Sequence, residues 1–261
     1  MAITTESGLI AALPGQQEAF MKNSVTGKGA GSWHSLWTVA GQPGAGAAQG
    51  TVNGAIPTSA TVGAFPFTNP TGGALSYLAR LALSSTQMGF FTLYDRLWHD
   101  SGLSATVTTS QAITQPALTR WTAGDGNELW IEIYTATTAS ATATITYTNQ
   151  AGVAGKTTSV VIPASTVAGQ AIPVPLAAGD TGIRAVTAAQ LSASMTAGNW
   201  GLTILRDVAS FPVANANMGT VLNAYDLGLP QIQDNAALAW MVLLNGTATP
   251  AITGEFSIAQ G

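Results

Sequence analysis

Apolar and polar residues alternate with period two along much of the second half of this chain. The clearest stretch is 141–148, where Thr142, Thr144, Thr146 and Thr148 fall on one face and Ala143, Ile145 and Tyr147 on the other. Successive side chains of a strand point to opposite sides, so this pattern predicts a half-buried strand. Asn149-Gln150-Ala151-Gly152 supplies a turn, and 157–162 returns as the second arm of a hairpin. Residues 128–135 alternate in the same way, Leu129, Ile131 and Ile133 against Trp130, Glu132 and Tyr134. In 89–97, Phe91, Leu93, Asp95 and Leu97 share a face. Further strands are expected at 77–83, 171–176, 183–192, 200–206, 237–244 and 251–258. Residues 238–244 are apolar on both faces, as in a central strand covered from both sides. Helical signals are few: a short helix over 5–13 stopped by Pro14-Gly15, and another within 217–229. About nine or ten strands with turns roughly every 10 to 15 residues predict a mainly β fold, a jelly-roll-like β-sandwich.

Residues 1–75 have a different texture. Gly, Ala and Gln recur from 41 to 50, and Pro57, Pro66 and Pro70 break up the remainder of the stretch. Aromatic residues nevertheless punctuate it: Phe20, Trp33, Trp37, Phe65 and Phe67. A disordered tail would lack them. The expectation is an extended N-terminal arm over 1–75, ordered by lying on its own domain or on a neighbouring subunit. These five aromatics are its candidate interface anchors, and 76–261 forms the β-sandwich domain.

Composition sharpens this picture. Only 8% of the 261 residues are Asp, Glu, Lys or Arg, against roughly 25% in an ordinary soluble domain. Small uncharged polar groups lose much less than charges when a neighbour covers them, so the surface reads as one meant to be covered. The net charge is −4 and eight scattered basic residues cannot form a phosphate-binding face, which excludes direct nucleic-acid binding. Lys22 and Lys28 are the nearest approach to a cluster. The charge-free stretch 29–79 is broken by prolines and glycines and does not predict a membrane span. No basic segment precedes Lys22, so no secretory signal is expected. With no cysteine, disulfides and thiolate chemistry are excluded.

Catalytic and cofactor motifs fare poorly. Val25-Thr26-Gly27-Lys28-Gly29 has a Gly-Lys pair, but Gly29 occupies the magnesium-ligand position and Lys22 that of the first loop glycine. Gly44-Ala45-Gly46 lacks the third glycine of a dinucleotide loop. The two histidines, His34 and His99, stand far apart in sequence. Asp125-Gly126-Asn127-Glu128 reads as an Asx-capped turn rather than a calcium loop. Tyr94-Asp95-Arg96-Leu97-Trp98-His99-Asp100 is the best catalytic candidate, with Asp95 and His99 on one strand face and Ser35 or Ser101 as a nucleophile. Its simpler reading is a set of salt bridges between strands, such as Arg96 or Arg80 with Glu132. Trp33, Trp37, Trp98, Trp121 and Trp130 suit either a sugar-stacking platform or core and interface packing, and the packing role is favoured. The expectation is a non-enzymatic chain without metal or cofactor.

Ser35-Leu36-Trp37, the 43–48 run Pro-Gly-Ala-Gly-Ala-Ala, Phe67-Thr68-Asn69-Pro70 and the 94–103 run from Tyr94 to Leu103 together resemble a group of proteins encoded by tailed bacteriophages. Tyr147-Thr148-Asn149-Gln150-Ala151-Gly152, Gly179-Asp180-Thr181-Gly182 and Ile258-Ala259-Gln260-Gly261 fit the same pattern, which covers most of the chain after residue 30. The resemblance implies a virion component and carries no catalytic residues. The expected role is a head decoration, cement or shell-associated protein, forming a homo-oligomer (a trimer favoured) and contacting the major capsid protein or other virion proteins. A tail-associated, host-glycan-binding sandwich is the alternative.

Overall fold

Alternation in the sequence becomes strand in the structure with nearly the expected bounds. The computed structural model describes residues 3–13, 15–23, 30–247 and 249–261; Pro14 and the 25–29 stretch with Lys28 lie outside the described residues. Helix α1 (Glu6–Ala12) is capped by Thr5, whose hydroxyl accepts from the Gly8 amide. Then come β1 (Gln16–Asn23), β2 (Trp33–Ser35) and β3 (Gly41–Gln42), followed after an irregular stretch by β4 (Ser76–Ser85) and β5 (Gly89–His99). Short β6 (Leu103–Ser104) and β7 (Gln111–Ala112) lead to β8 (Asn127–Thr135), β9 (Ala141–Asn149), β10 (Lys156–Ile162), β11 (Gln170–Val174) and β12 (Ile183–Leu191). The long β13 (Asn199–Val213) precedes β14 (Gly219–Leu222), α2 (Ala224–Leu227), β15 (Gln231–Ile232), β16 (Leu238–Leu244) and β17 (Ala251–Gln260). Asn223 and Asp226 form a capping box on α2, and left-handed Gly228 ends it.

The fold is mainly β and its sheets are antiparallel. Six strands close a barrel in the order β5-β16-β2-β11-β8-β13, with β13 pairing back to β5 and β6 added beside β13. A second sheet runs β14-β4-β17-β1-β3, with β15 also on β4. A third runs β10-β9-β12-β7.

Each outer sheet is sandwiched against a different wall of the barrel. Ala143, Ile145, Tyr147, Ile183 and Val186 of the third sheet pack on Leu129, Ile131, Ile133, Trp200, Leu202 and Ile204 of β8 and β13. Phe20, Leu81, Leu83, Ile252 and Phe256 of the second sheet pack on Phe91, Leu93, Phe211, Trp240 and Val242 of β5, β13 and β16. Each fully buried Val, Leu, Ile or Phe among them contributes about 1.5–3 kcal/mol.

The described residues of 1–75 are woven into this body. β1 lies between β17 and β3, while β2 is a barrel stave between β16 and β11. Beyond β3 the chain is pinned to its own barrel, by reciprocal bonds between Ala55 and His99 and by the Phe65 amide on the Leu238 carbonyl.

Candidate functional site

The alternation that aims one face of β8 at the third sheet aims Trp130, Glu132 and Tyr134 into the barrel. A barrel this narrow is filled by side chains. One part of its interior is apolar: Tyr94, Trp130, Ala171, Leu205 and Met241, with half-buried Trp33 against them. Trp130 meets Trp33 edge-on at 5.4 Å and Tyr94 at 6.0 Å. The rest is ionic. Arg96 Nη1 donates to Glu132 Oε1 at 2.7 Å and Nη2 donates to Oε2, while the Tyr134 hydroxyl donates to Oε2 at 2.7 Å. Burial pushes the Glu132 carboxyl up, but the Arg96 charge and hydrogen bonds from Arg96, Tyr134 and Ser35 outweigh it, and the group stays below the usual carboxylate range. Trp37 stacks on this pair, its ring centroid 4.9 Å from the Arg96 guanidinium carbon.

Further buried charges surround the barrel. Asp95 holds Arg120 through Nε and Nη2 at 3.0 and 2.9 Å, and accepts from the Ala237 amide at 2.9 Å. Arg120 also donates to the Pro57 and Arg96 carbonyls, tying the 1–75 segment to β5. Lys22 Nζ donates to the carbonyls of Val39 and Gly44, and burial pushes its pKa down to about 8. Asp100 Oδ1 accepts from the Leu202 amide at 2.7 Å, and burial holds this carboxyl well above its usual range. Burial, with the nearby Arg96 charge, holds His99 well below the ordinary imidazole value.

The 94–100 run is thus divided among different tasks. Asp95 and His99 do not form a pair, since Asp95 is engaged by Arg120 and the His99 ring lies 5.3 Å from Trp37. Ser101 donates no proton to either; its hydroxyl accepts from the Gly50 amide at 2.7 Å. Arg96 takes Glu132, as the salt-bridge reading anticipates, whereas Arg80 pairs with Glu255. Asp125 accepts from the hydroxyl of Thr181, which lies between β11 and β12, so the bond ties two separate loops together. Among the described residues, no three His, Asp or Glu side chains converge on a common point. Nothing local in the sequence marks Arg120 as the partner of Asp95, or the Val39 and Gly44 carbonyls as those of Lys22.

The aromatic candidates face inward. Phe20, Trp37, Phe65 and Phe67 are buried in this chain's own core, and Trp33 is half-buried. Of the proposed stacking platform, Trp37, Trp98 and Trp130 are buried and the Trp121 face is covered by Arg206 at 4.6 Å. The exterior carries little charge. Among the described residues, Lys22, Asp95, Arg96, Asp100, Arg120 and Glu132 are buried charged side chains, removed from an already sparse set of eight basic and twelve acidic residues. In their place the surface shows a Thr and Ser face on β9 and β10, and single exposed apolar side chains such as Ile10, Met21, Val161, Val221 and Tyr225.

No protein-family model matches the chain, and no curated protein sequence does. Among solved structures, the infectious bursal disease virus VP2 subviral particle aligns over 94% of this chain and 80% of that one, at 9% identity and a TM-score of 0.20. The Gx strain structure of the same virus aligns over 94% and 78%, at 10% identity and a TM-score of 0.20. Overlap at this TM-score carries no assignment of fold or role.

Proposed function

We propose that this chain is a structural component of a bacteriophage particle, a head decoration, cement or shell-associated protein that works by packing against neighbouring subunits and not by catalysis. The observation that carries the reading is where the charge lies. Of its few ionisable side chains, six lie inside, four of them as the Arg96–Glu132 and Arg120–Asp95 pairs, and the exterior is left thin in charge, with a Thr and Ser face on β9 and β10. Such a surface loses little on being covered, and contacts made by it are insensitive to salt. The resemblance of 94–103 and its companion segments to tailed-phage proteins supports the same role. The partners proposed are further copies of this chain, with a trimer favoured, and the major capsid protein.

Sedimentation of purified particles in dilute and in molar salt tests this. The chain is expected to travel with the particles at both strengths. Its absence from the particle fraction in dilute salt would overturn the proposal.

A further inference from the structure

β10 is the longest strand with a single neighbour among the described residues. The direction of its free backbone groups is set by β9. Thr142 turns both of its backbone groups away from β10: its carbonyl accepts from the Ser192 amide and its amide donates to the Ser192 hydroxyl, each at 2.9 Å. In an antiparallel strand this direction alternates. Ala141, Ala143, Ile145 and Tyr147 therefore bond toward β10, where the register sets Ile162, Val160, Thr158 and Lys156 against them. Thr157, Ser159 and Val161 are left with N–H and C=O pointing out of the sheet, and their side chains are exposed.

Native edges are ordinarily guarded by charge, proline, a bulge or a covering segment. This one is not. Its register with β9 is unbroken, and proline comes only at Pro163. The single charge, Lys156, stands at one end, 3.5 Å from Asp180 of its own chain.

We propose that β10 is a docking edge for a second copy of this chain, with two β10 strands pairing antiparallel about a twofold axis at Ser159. The register is self-complementary. Ser159 faces Ser159 of the second copy, Thr157 faces Val161, and Lys156 faces Ile162, so the two lysines sit at opposite ends. Each of the three outward residues exchanges both backbone bonds across the axis. The Thr and Ser face of the third sheet then continues unbroken into the second copy. A seven-residue edge buries less than the roughly 1,200–2,000 Å² of a stable interface. The pair is therefore concentration-dependent in solution and persistent where copies are held side by side. None of this depends on the particle reading.

The chain has no cysteine, so one introduced thiol reports on the axis. Opposed Cα atoms of a hydrogen-bonded antiparallel pair stand about 5.5 Å apart, within disulfide reach. With oxidised glutathione as oxidant, two Ser159→Cys thiols give one intermolecular disulfide and two reduced glutathione molecules. Covalent dimer is expected at least about tenfold faster than for Thr187→Cys, which is exposed on the same sheet away from this edge. Thr157→Cys sits about 14 Å from its counterpart in this register, at four residues of strand rise, and should cross-link no faster than Thr187→Cys. Adding Val161→Lys to Ser159→Cys should remove the advantage. Equal rates at 157, 159 and 187, or undiminished cross-linking with Val161→Lys, would overturn the proposal.

Discussion

Arg96 and Glu132 meet inside the barrel, Nη1 to Oε1 at 2.7 Å, with neither side chain reaching solvent. Removing one partner strands the other charge in a low-dielectric interior. Glu132→Gln and Arg96→Met are each expected to lower unfolding free energy by about 3–5 kcal/mol. The paired change Arg96→Met with Glu132→Leu leaves no orphan charge and should cost less than either single change. Urea unfolding of the four proteins checks the ordering.

Asp100 and His99 act on stability in opposite directions as the medium is acidified. Folded His99 resists protonation, so the unfolded chain binds the extra proton below about pH 6.5 and stability falls with pH. Folded Asp100 holds its proton well above the usual carboxylate value, so stability gained from it rises as pH falls toward the unfolded value of 3.8. Asp100→Asn keeps the acceptor for the Leu202 amide and removes this opposing contribution. The variant should lose stability between about pH 6.5 and 4 more steeply than the parent, by up to about 1.4 kcal/mol per pH unit. Denaturant midpoints across that window measure the difference.

Lys22 titrates near 8 when folded and near 10.5 when unfolded. Between those values the unfolded chain carries more protons, so stability rises as pH increases from 8 to 10.5. Lys22→Met should abolish that rise, which thermal unfolding at alkaline pH can track.

Gly46 lies against Trp37. A Cβ there would come within 2.5 Å of the ring and 2.8 Å of the Val62 carbonyl oxygen. Gly46→Ala is expected to destabilise by about 1–3 kcal/mol through overpacking. Gly44→Ala, whose Cβ would meet only Val62 Cγ1 at 3.7 Å, should shift stability by less than about 0.5 kcal/mol.

Much of this architecture is written in local pattern. The Thr alternation over 141–148 and its return over 157–162 become β9 and β10. The doubly apolar 238–244 becomes β16, which faces the second sheet with Trp240 and the barrel interior with Met241. Barrel closure is not local: β5 joins β13 across about a hundred residues, and β2 is three residues long. Polar Gln16-Gln17-Glu18 hides the strand character of β1, whose Phe20 and Lys22 turn inward. The Arg96–Glu132 pair arises from adjacent alternating strands, whereas Arg120 reaches Asp95 from an irregular segment that no periodicity describes.

The most direct test of the structural role is immunogold electron microscopy of particles from the source lysate, with antibody raised against residues 77–261. Gold over particle heads is the result predicted. Gold confined to tail tips or fibres would point instead to host-glycan binding, and protein free in the lysate with no labelled particle would contradict the structural role outright.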